Sequence, residues 1–257
     1  MQTFVADTNQ LLIRHLRTTL RLPIWIAVTL VQPVIWLTLF GQLFRNVVEL
    51  PGFSTGTYIE FLTPGVVVMT SLFSAIWSGM GMIEDLKEGV LDRLLTTPLH
   101  RASLIAARVA HTSITIAVQS VLILLLGWML GAGVAGGVGG FLLILLAAVL
   151  LGAGIAALSN GLALIARREE TLIAVANFFG MPLVFLSTAF MAAESMPQWI
   201  RTLSKGNPVN WAVDASRQAM QGVAIGDVWM KCGLLAVFLI LAGWVATQAF
   251  TMYRKTV

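Results

Sequence analysis

Residues 83–101 read IEDLKEGVLDRLLTTPLHR, the densest charged stretch in a very apolar chain. Runs of more than twenty mostly uncharged residues, near 60–82 and 103–130, lie on either side of it. A charged side chain at the centre of a bilayer costs about 3 kcal/mol or more, so this segment must sit in water or against a soluble partner. At 100° per residue, Leu86, Val90 and Leu94 share one helical face while Asp85, Glu88 and Asp92 share another. Gly89 stands where almost any other residue would favour a helix by about 1 kcal/mol. Pro98 closes the segment because proline cannot continue a helix. Taken as residues alone, 83–101 is either a solvated loop or a helix that docks on something.

Working outward, the 257 residues are 58% hydrophobic and 11% charged, against about 25% charged in a soluble domain. The expected class is an all-α integral membrane protein in a single transmembrane domain. About 20 apolar residues cross the hydrocarbon core, and six segments are long enough: near 24–44, 60–82, 103–130, 141–165, 171–193 and 228–251. Pro33 and Pro182 fall mid-way along the first and fifth, where kinks are expected. Ala148, Gly152 and Ala156 repeat at four-residue spacing, a small-xxx-small face for close helix packing. Before the first span, residues 8–22 interleave Leu12, Leu16 and Leu20 with Arg14, Arg17 and Arg21. Such a helix lies at the headgroup level with its arginines toward anionic lipid.

The basic residues orient the chain. With the N-terminus inside, Arg14, Arg17, Arg21, Lys87, Arg93, Arg101, Arg108, Arg167, Arg168, Arg254 and Lys255 face the cytoplasm, eleven of the sixteen Lys and Arg. Arg45, Arg201, Lys205, Arg217 and Lys231 fall outside. The positive-inside rule favours this arrangement, with both termini cytoplasmic. It places 83–101 inside, and the uncharged glycine-rich turn 131–140 and the segment 194–227 outside. In that outer segment Ser195 is expected to cap a short helix with Pro197 in its first turn. No cleavable signal peptide is expected, since the first apolar run starts only at Ile24 and lacks a small-residue cleavage site. Arg167 and Arg168 close one helix and Glu169 and Glu170 open the next, each suited to the helix dipole.

Several chemistries are disfavoured. A phosphate-binding loop needs Gly-Lys-Ser/Thr, and of Lys87, Lys205, Lys231 and Lys255 only the last precedes a hydroxyl residue, with Arg254 before it. His15, His100 and His111 are dispersed, and the single Cys232 lies in an apolar run, so no metal site or disulfide is expected. His111, near Thr112, Ser113 and Thr115, is expected to make an interhelical hydrogen bond. The central thirds of the spans hold no Asp, Glu, Lys or Arg, which argues against an ion-coupled carrier. Their polar residues are uncharged, among them Gln32, Ser71, Ser74, Ser78, Gln119, Asn160 and Asn177. Arg108 is expected to snorkel to the interface. The basic net charge of +4 belongs to membrane topology, with no nucleic-acid partner expected.

The order Glu84-Asp85, Glu88-Gly89, Leu91, Arg93-Leu94-Leu95 and Pro98 resembles the coupling-helix signature of ABC-2-type exporter permeases. Asn207-Pro208, Trp211, Asp214 and Arg217, with the opening LLIRHLRTTLRLPIWIAVTLVQPVIWLTLFGQLF, resemble the daunorubicin-resistance branch of that family. The resemblance implies that 83–101 docks on a separate ATPase subunit, which binds ATP and magnesium and drives export. Gly89 would then permit close approach and Glu88 would supply a charged contact. It further implies that two copies of the permease pair and recruit two ATPase subunits in a bacterial-type cytoplasmic membrane, with a substrate path along the seam. Gln32, Trp36, Phe40, Phe73, Trp77, Asn177 and Phe178 would suit an amphipathic drug, antibiotic or lipid-like cargo. A polysaccharide or glycolipid exporter of the same superfamily, or a membrane scaffold that moves nothing, are the alternatives. For Asn207, Asp214 and Arg217, turn and cap hydrogen bonding is the favoured role.

Overall fold

In the computed structural model, residues 4–20, 23–44, 56–90 and 101–255 are described. Nine α-helices organise them: α1 (Phe4–Leu20), α2 (Pro23–Ile35), α3 (Tyr58–Lys87), α4 (Arg101–Met129), α5 (Gly137–Ala166), α6 (Glu169–Phe185), α7 (Gln198–Ser204), α8 (Pro208–Gln221) and α9 (Ile225–Lys255). A π-helical turn, Trp36–Phe40, and a further helical turn, Gly41–Leu43, extend α2. The described residues hold helices and no strand. Four helices are long and apolar enough to cross a membrane: α3, α5, and the segments Ala102–Met129 and Ile225–Phe250 of α4 and α9. The first expected span is covered by helix over 23–43, α2 with its two added turns, and the fifth is shorter, the 17-residue α6.

The middle of the bundle is α5, packed against α3, α4, α8 and α9. Within a bilayer, apolar burial does little to drive helices together, and close packing of small residues takes its place. The small-residue face behaves accordingly. Ala148 and Ala156 are fully buried, and a Cβ at Gly152 would lie 2.2 Å from Ile116 and 2.7 Å from the Ser71 hydroxyl. Gly79 of α3 crosses so near that a Cβ would stand 2.6 Å from the Ser159 carbonyl oxygen. The Gly79 amide instead donates to Ser159 Oγ at 3.1 Å. At the expected outer end, the glycine-rich turn seats α8: Gly136 donates its N–H to the Met220 carbonyl at 3.0 Å.

Three element boundaries differ from expectation. The charged stretch does not begin a helix of its own, because α3 runs unbroken through Ile83 to Lys87. It ends in a turn at Glu88–Gly89, where the Gly89 amide donates to the Leu86 carbonyl and φ is +65°. Leu86 and Val90 therefore stand on opposite sides of a break and share no continuous helical face. Leu91, Arg93, Leu94, Leu95 and Pro98 lie outside the described residues. The fifth helix stops at Phe185, short of residue 193, because its end is closed by groups from later in the chain. Asn207 Nδ2 donates to the carbonyls of Leu183 at 2.7 Å and Leu186 at 3.1 Å. Ser195 caps nothing in α7, whose N-cap is Pro197 with no side-chain bond. Ser195 belongs to the preceding 3-10 turn, Ala193–Ser195.

Candidate functional site

The last turns of α3 present the acidic pair to two different environments. Glu84 is exposed, whereas Asp85 points inward and receives two arginines. Arg108 of α4 donates to one carboxylate oxygen of Asp85 and, at 2.7 Å, to the carbonyl of Gly81. Arg14 of α1 reaches the other oxygen at 3.4 Å. Arg108 thus does not snorkel to an interface, since a carboxylate one helix away makes its buried position tolerable. The spacing explains the meeting: Ser78, Gly81 and Asp85 recur on one face of α3, opposite Arg108 and Thr112 on α4. Ser78 and Thr112 share a hydrogen bond of 2.7 Å, and Asn160 of α5 donates to Ser78 at 3.0 Å. One helical turn further, Gln119 accepts from Ser74 at 2.8 Å and donates to Thr29 of α2 at 3.0 Å. Of the polar residues singled out in the spans, Ser71, Ser74, Ser78, Gln119 and Asn160 serve as clasps between helices.

Beside this pair, α1 lies along the first half of α4. His111 makes the expected interhelical bond, with Thr19 at 2.7 Å, and its ring centroid is 5.8 Å from that of His15. Burial holds the His15 imidazole down to about 4, and the Arg108 guanidinium adds to the effect. Lys87, the last residue of α3, bonds Glu169 of α6 at 2.6 Å. Glu169 and Glu170 occupy the first turn of α6 as expected. Arg167 sits in the left-handed region at φ 53°, ending α5. Glu88 is exposed, and none of the described residues lies within 4 Å of where a Gly89 side chain would begin.

The expected cargo residues do not form one cluster. Trp36 and Phe40 stack at 4.2 Å and belong to an aromatic file that also includes Phe190, 4.8 Å from Trp36, and Phe44, 5.5 Å from Phe40. Phe44 continues it to Tyr58 at 5.7 Å. Phe73 lies against Gly180 of α6. Trp77, Asn177 and Phe178 are exposed, Phe178 at 72%, and Gln32 is exposed on α2. Sequence reasoning missed Phe44 and Tyr58, which meet where the end of the α2 segment reaches α3, and Phe190, which comes from the segment after α6.

At the expected outer end, Asn207 makes the local cap bond anticipated, accepting from the Val209 amide at 2.9 Å, whereas Asp214 and Arg217 are not local turn groups and instead tie α8 to a distant part of the chain. Thr188 is the hub. Asn210 Oδ1 accepts from its amide and hydroxyl, both at 2.9 Å, and Asp214 accepts from the hydroxyl at 2.8 Å. Arg217 donates to its carbonyl at 2.8 Å and stacks 3.8 Å above the Phe61 ring. Burial lowers the Arg217 guanidinium to about 10, with Asp214, Tyr58 and Glu194 opposing. Thr188 and the role of Asn210 were the parts of this network that the sequence did not announce.

The acidic α3 terminus and the Thr188 network both lie within the part of the chain that matches a family model, residues 7–221, described as ABC-2 type transporter. This chain belongs to the ABC-2 transporter family. Among its curated relatives is the daunorubicin resistance ABC transporter permease protein DrrB1 of Streptomyces coeruleorubidus, 28% identical over 92% of this chain and 84% of that protein. The putative transport permease ycf38 of Cyanophora paradoxa is 31% identical over 77% of this chain and 68% of its own. The probable doxorubicin resistance permease DrrC of Mycobacterium tuberculosis is 26% identical over 86% and 76%. This ABC-2 chain is a multi-pass membrane protein of the permease class.

Proposed function

We propose that this chain is the membrane-spanning half of an ATP-driven exporter. It pairs with a second copy or a close paralogue and with two separate ATPase subunits, which hold ATP and magnesium. Glu84, Glu88 and Gly89, with Leu91, Arg93, Leu94, Leu95 and Pro98 beyond them, form the surface those subunits engage. The cargo is an amphipathic drug, antibiotic or lipid-like molecule, consistent with the names of the relatives. Six spans, with α2 and α6 completing the four long helices, and cytoplasmic termini complete the reading.

The observation that carries it is the continuity of α3. One 30-residue helix bears the acidic pair at its end and Phe73 and Trp77 further along. At 1.5 Å per residue, Trp77 lies about 12 Å from Asp85 along a rigid rod. Displacement of the α3 terminus by a closing ATPase therefore moves both aromatic side chains. It also moves α1 and α4 through Asp85, and α6 through Lys87 and Glu169.

The decisive experiment co-purifies the chain with its ATPase subunit and reconstitutes both in liposomes. Amphipathic cargo should stimulate ATP hydrolysis and be transported with ATP alone. Efflux that persists without ATP but collapses with a protonophore would make the protein a secondary carrier and end this reading.

A further inference from the structure

Helix α1 carries more positive charge toward its surface than its neighbours neutralise. Arg14 and Arg108 share the one carboxylate of Asp85, and Arg17 is exposed on the same face as Arg14. Between the arginines lies a shallow cleft of about 280 Å³ lined by Gln10, Ile13, Arg14, Arg17 and Thr18. The contact of Arg14 with Asp85 is the weaker of the two, at 3.4 Å with its side chain 44% exposed. Arg108 retains Asp85 by itself. Arg14 is thus free to exchange partners at little cost.

We propose that this cleft binds the phosphate of an anionic phospholipid, held by Arg14 and Arg17 and by the Gln10 side-chain amide. Binding draws Arg14 away from Asp85. Charge complementarity and setting select the ligand. Ile13 in the cleft and Phe4 and Val5 along the helix are exposed apolar groups, which a bilayer surface would cover and a free anion would not. The helix is also followed at once by the apolar α2. Because Asp85 lies in the last turns of α3, lipid occupancy sets how firmly the α3 terminus is tied to α1. The effect on coupling rests on the exporter reading; the lipid site rests only on α1 lying at the membrane surface.

The test uses the purified full-length chain in neutral detergent, followed by native mass spectrometry after addition of phosphatidylglycerol or phosphatidylcholine. Phosphatidylglycerol should be retained in preference to phosphatidylcholine. Retention should fall about fivefold for Arg17→Gln and again for Arg14→Gln, the factor expected for one basic residue at an anionic surface. Arg17 has an exposed side chain, so that variant tests the site without disturbing the core. Asp85→Asn should raise retention, because it releases Arg14. Equal retention of both lipids, or no loss in the Arg17→Gln and double variants, overturns the site. Inorganic phosphate competing as well as the lipid overturns the lipid assignment. Unchanged retention with loss of ATPase capture would make this face a protein contact instead. None of these readouts uses transport, so their failure leaves the exporter reading intact.

Discussion

Arg108 and Asp85 form an ion pair between α4 and the last turns of α3, their side chains only 11% and 18% exposed. Removing one partner leaves a charge stranded in a poorly solvated site, at about 3 kcal/mol. Arg108→Leu and Asp85→Leu should each lower the thermal unfolding temperature in detergent, while the double variant should lie closer to wild type than either. Additive losses would mean that the pair contributes nothing beyond its separate packing.

Gly89 gives a second prediction and changes the reason for it. None of the described residues stands within 4 Å of an added Cβ, yet φ is +65°, where an L side chain costs about 1–2 kcal/mol. Gly89→Val is therefore strained by its backbone, and relief of a helix-propensity penalty does not apply. Asparagine tolerates the left-handed region. If conformation is what matters, Gly89→Asn should keep near-normal ATPase capture and drug resistance while Gly89→Val loses both. Equal loss in the two variants would restore the view that a bare surface is needed for docking.

These residues also mark what the sequence disclosed. Long apolar runs located the helices because hydrophobic length is a local property, and Ala148, Gly152 and Ala156 announced close packing because small-residue spacing is local too. The end of α6 was not legible, since Asn207 closes it from 21 and 24 positions downstream. Nor was the partner of Arg108: Asp85 read as one half of a surface acidic pair until α4 brought an arginine against it. At Gly89 the residue was evident but its backbone angle, φ +65°, was not.

His15 supplies a prediction about pH. It faces Arg108, Asp85, His111 and Arg14, and its folded value of about 4 lies below the ordinary 6.5. Protonation therefore favours the undocked helix. The stabilisation is complete above about pH 6.5 and is lost as pH falls toward 4. Thermal unfolding measured over that range should decline more steeply for wild type than for His15→Gln. Parallel slopes would show that His15 is not what titrates between α1 and α4.

The orientation can be tested with single cysteines, and the structure decides where they go. Gly136 cannot carry one, because its Cβ would meet the Ala219 carbonyl oxygen at 2.1 Å. Ser204 is buried, while its neighbour Lys205 is exposed. Val138, at the start of α5, is 78% exposed. The native Cys232 is 3% exposed, which keeps the background low without its removal. Val138→Cys and Lys205→Cys should react with an impermeant maleimide in intact cells. Lys87→Cys gives up only an exposed ion pair, of small energetic value, and should react only after the membrane is opened. The three sites are independent reporters of the two sides, since Lys87 ends α3 whereas Val138 and Lys205 flank the glycine-rich turn and α8. Reaction of Lys87→Cys in intact cells would place the α3 terminus outside, beyond the reach of any cytoplasmic ATPase, and the coupling role of Glu84, Glu88 and Gly89 would go with it.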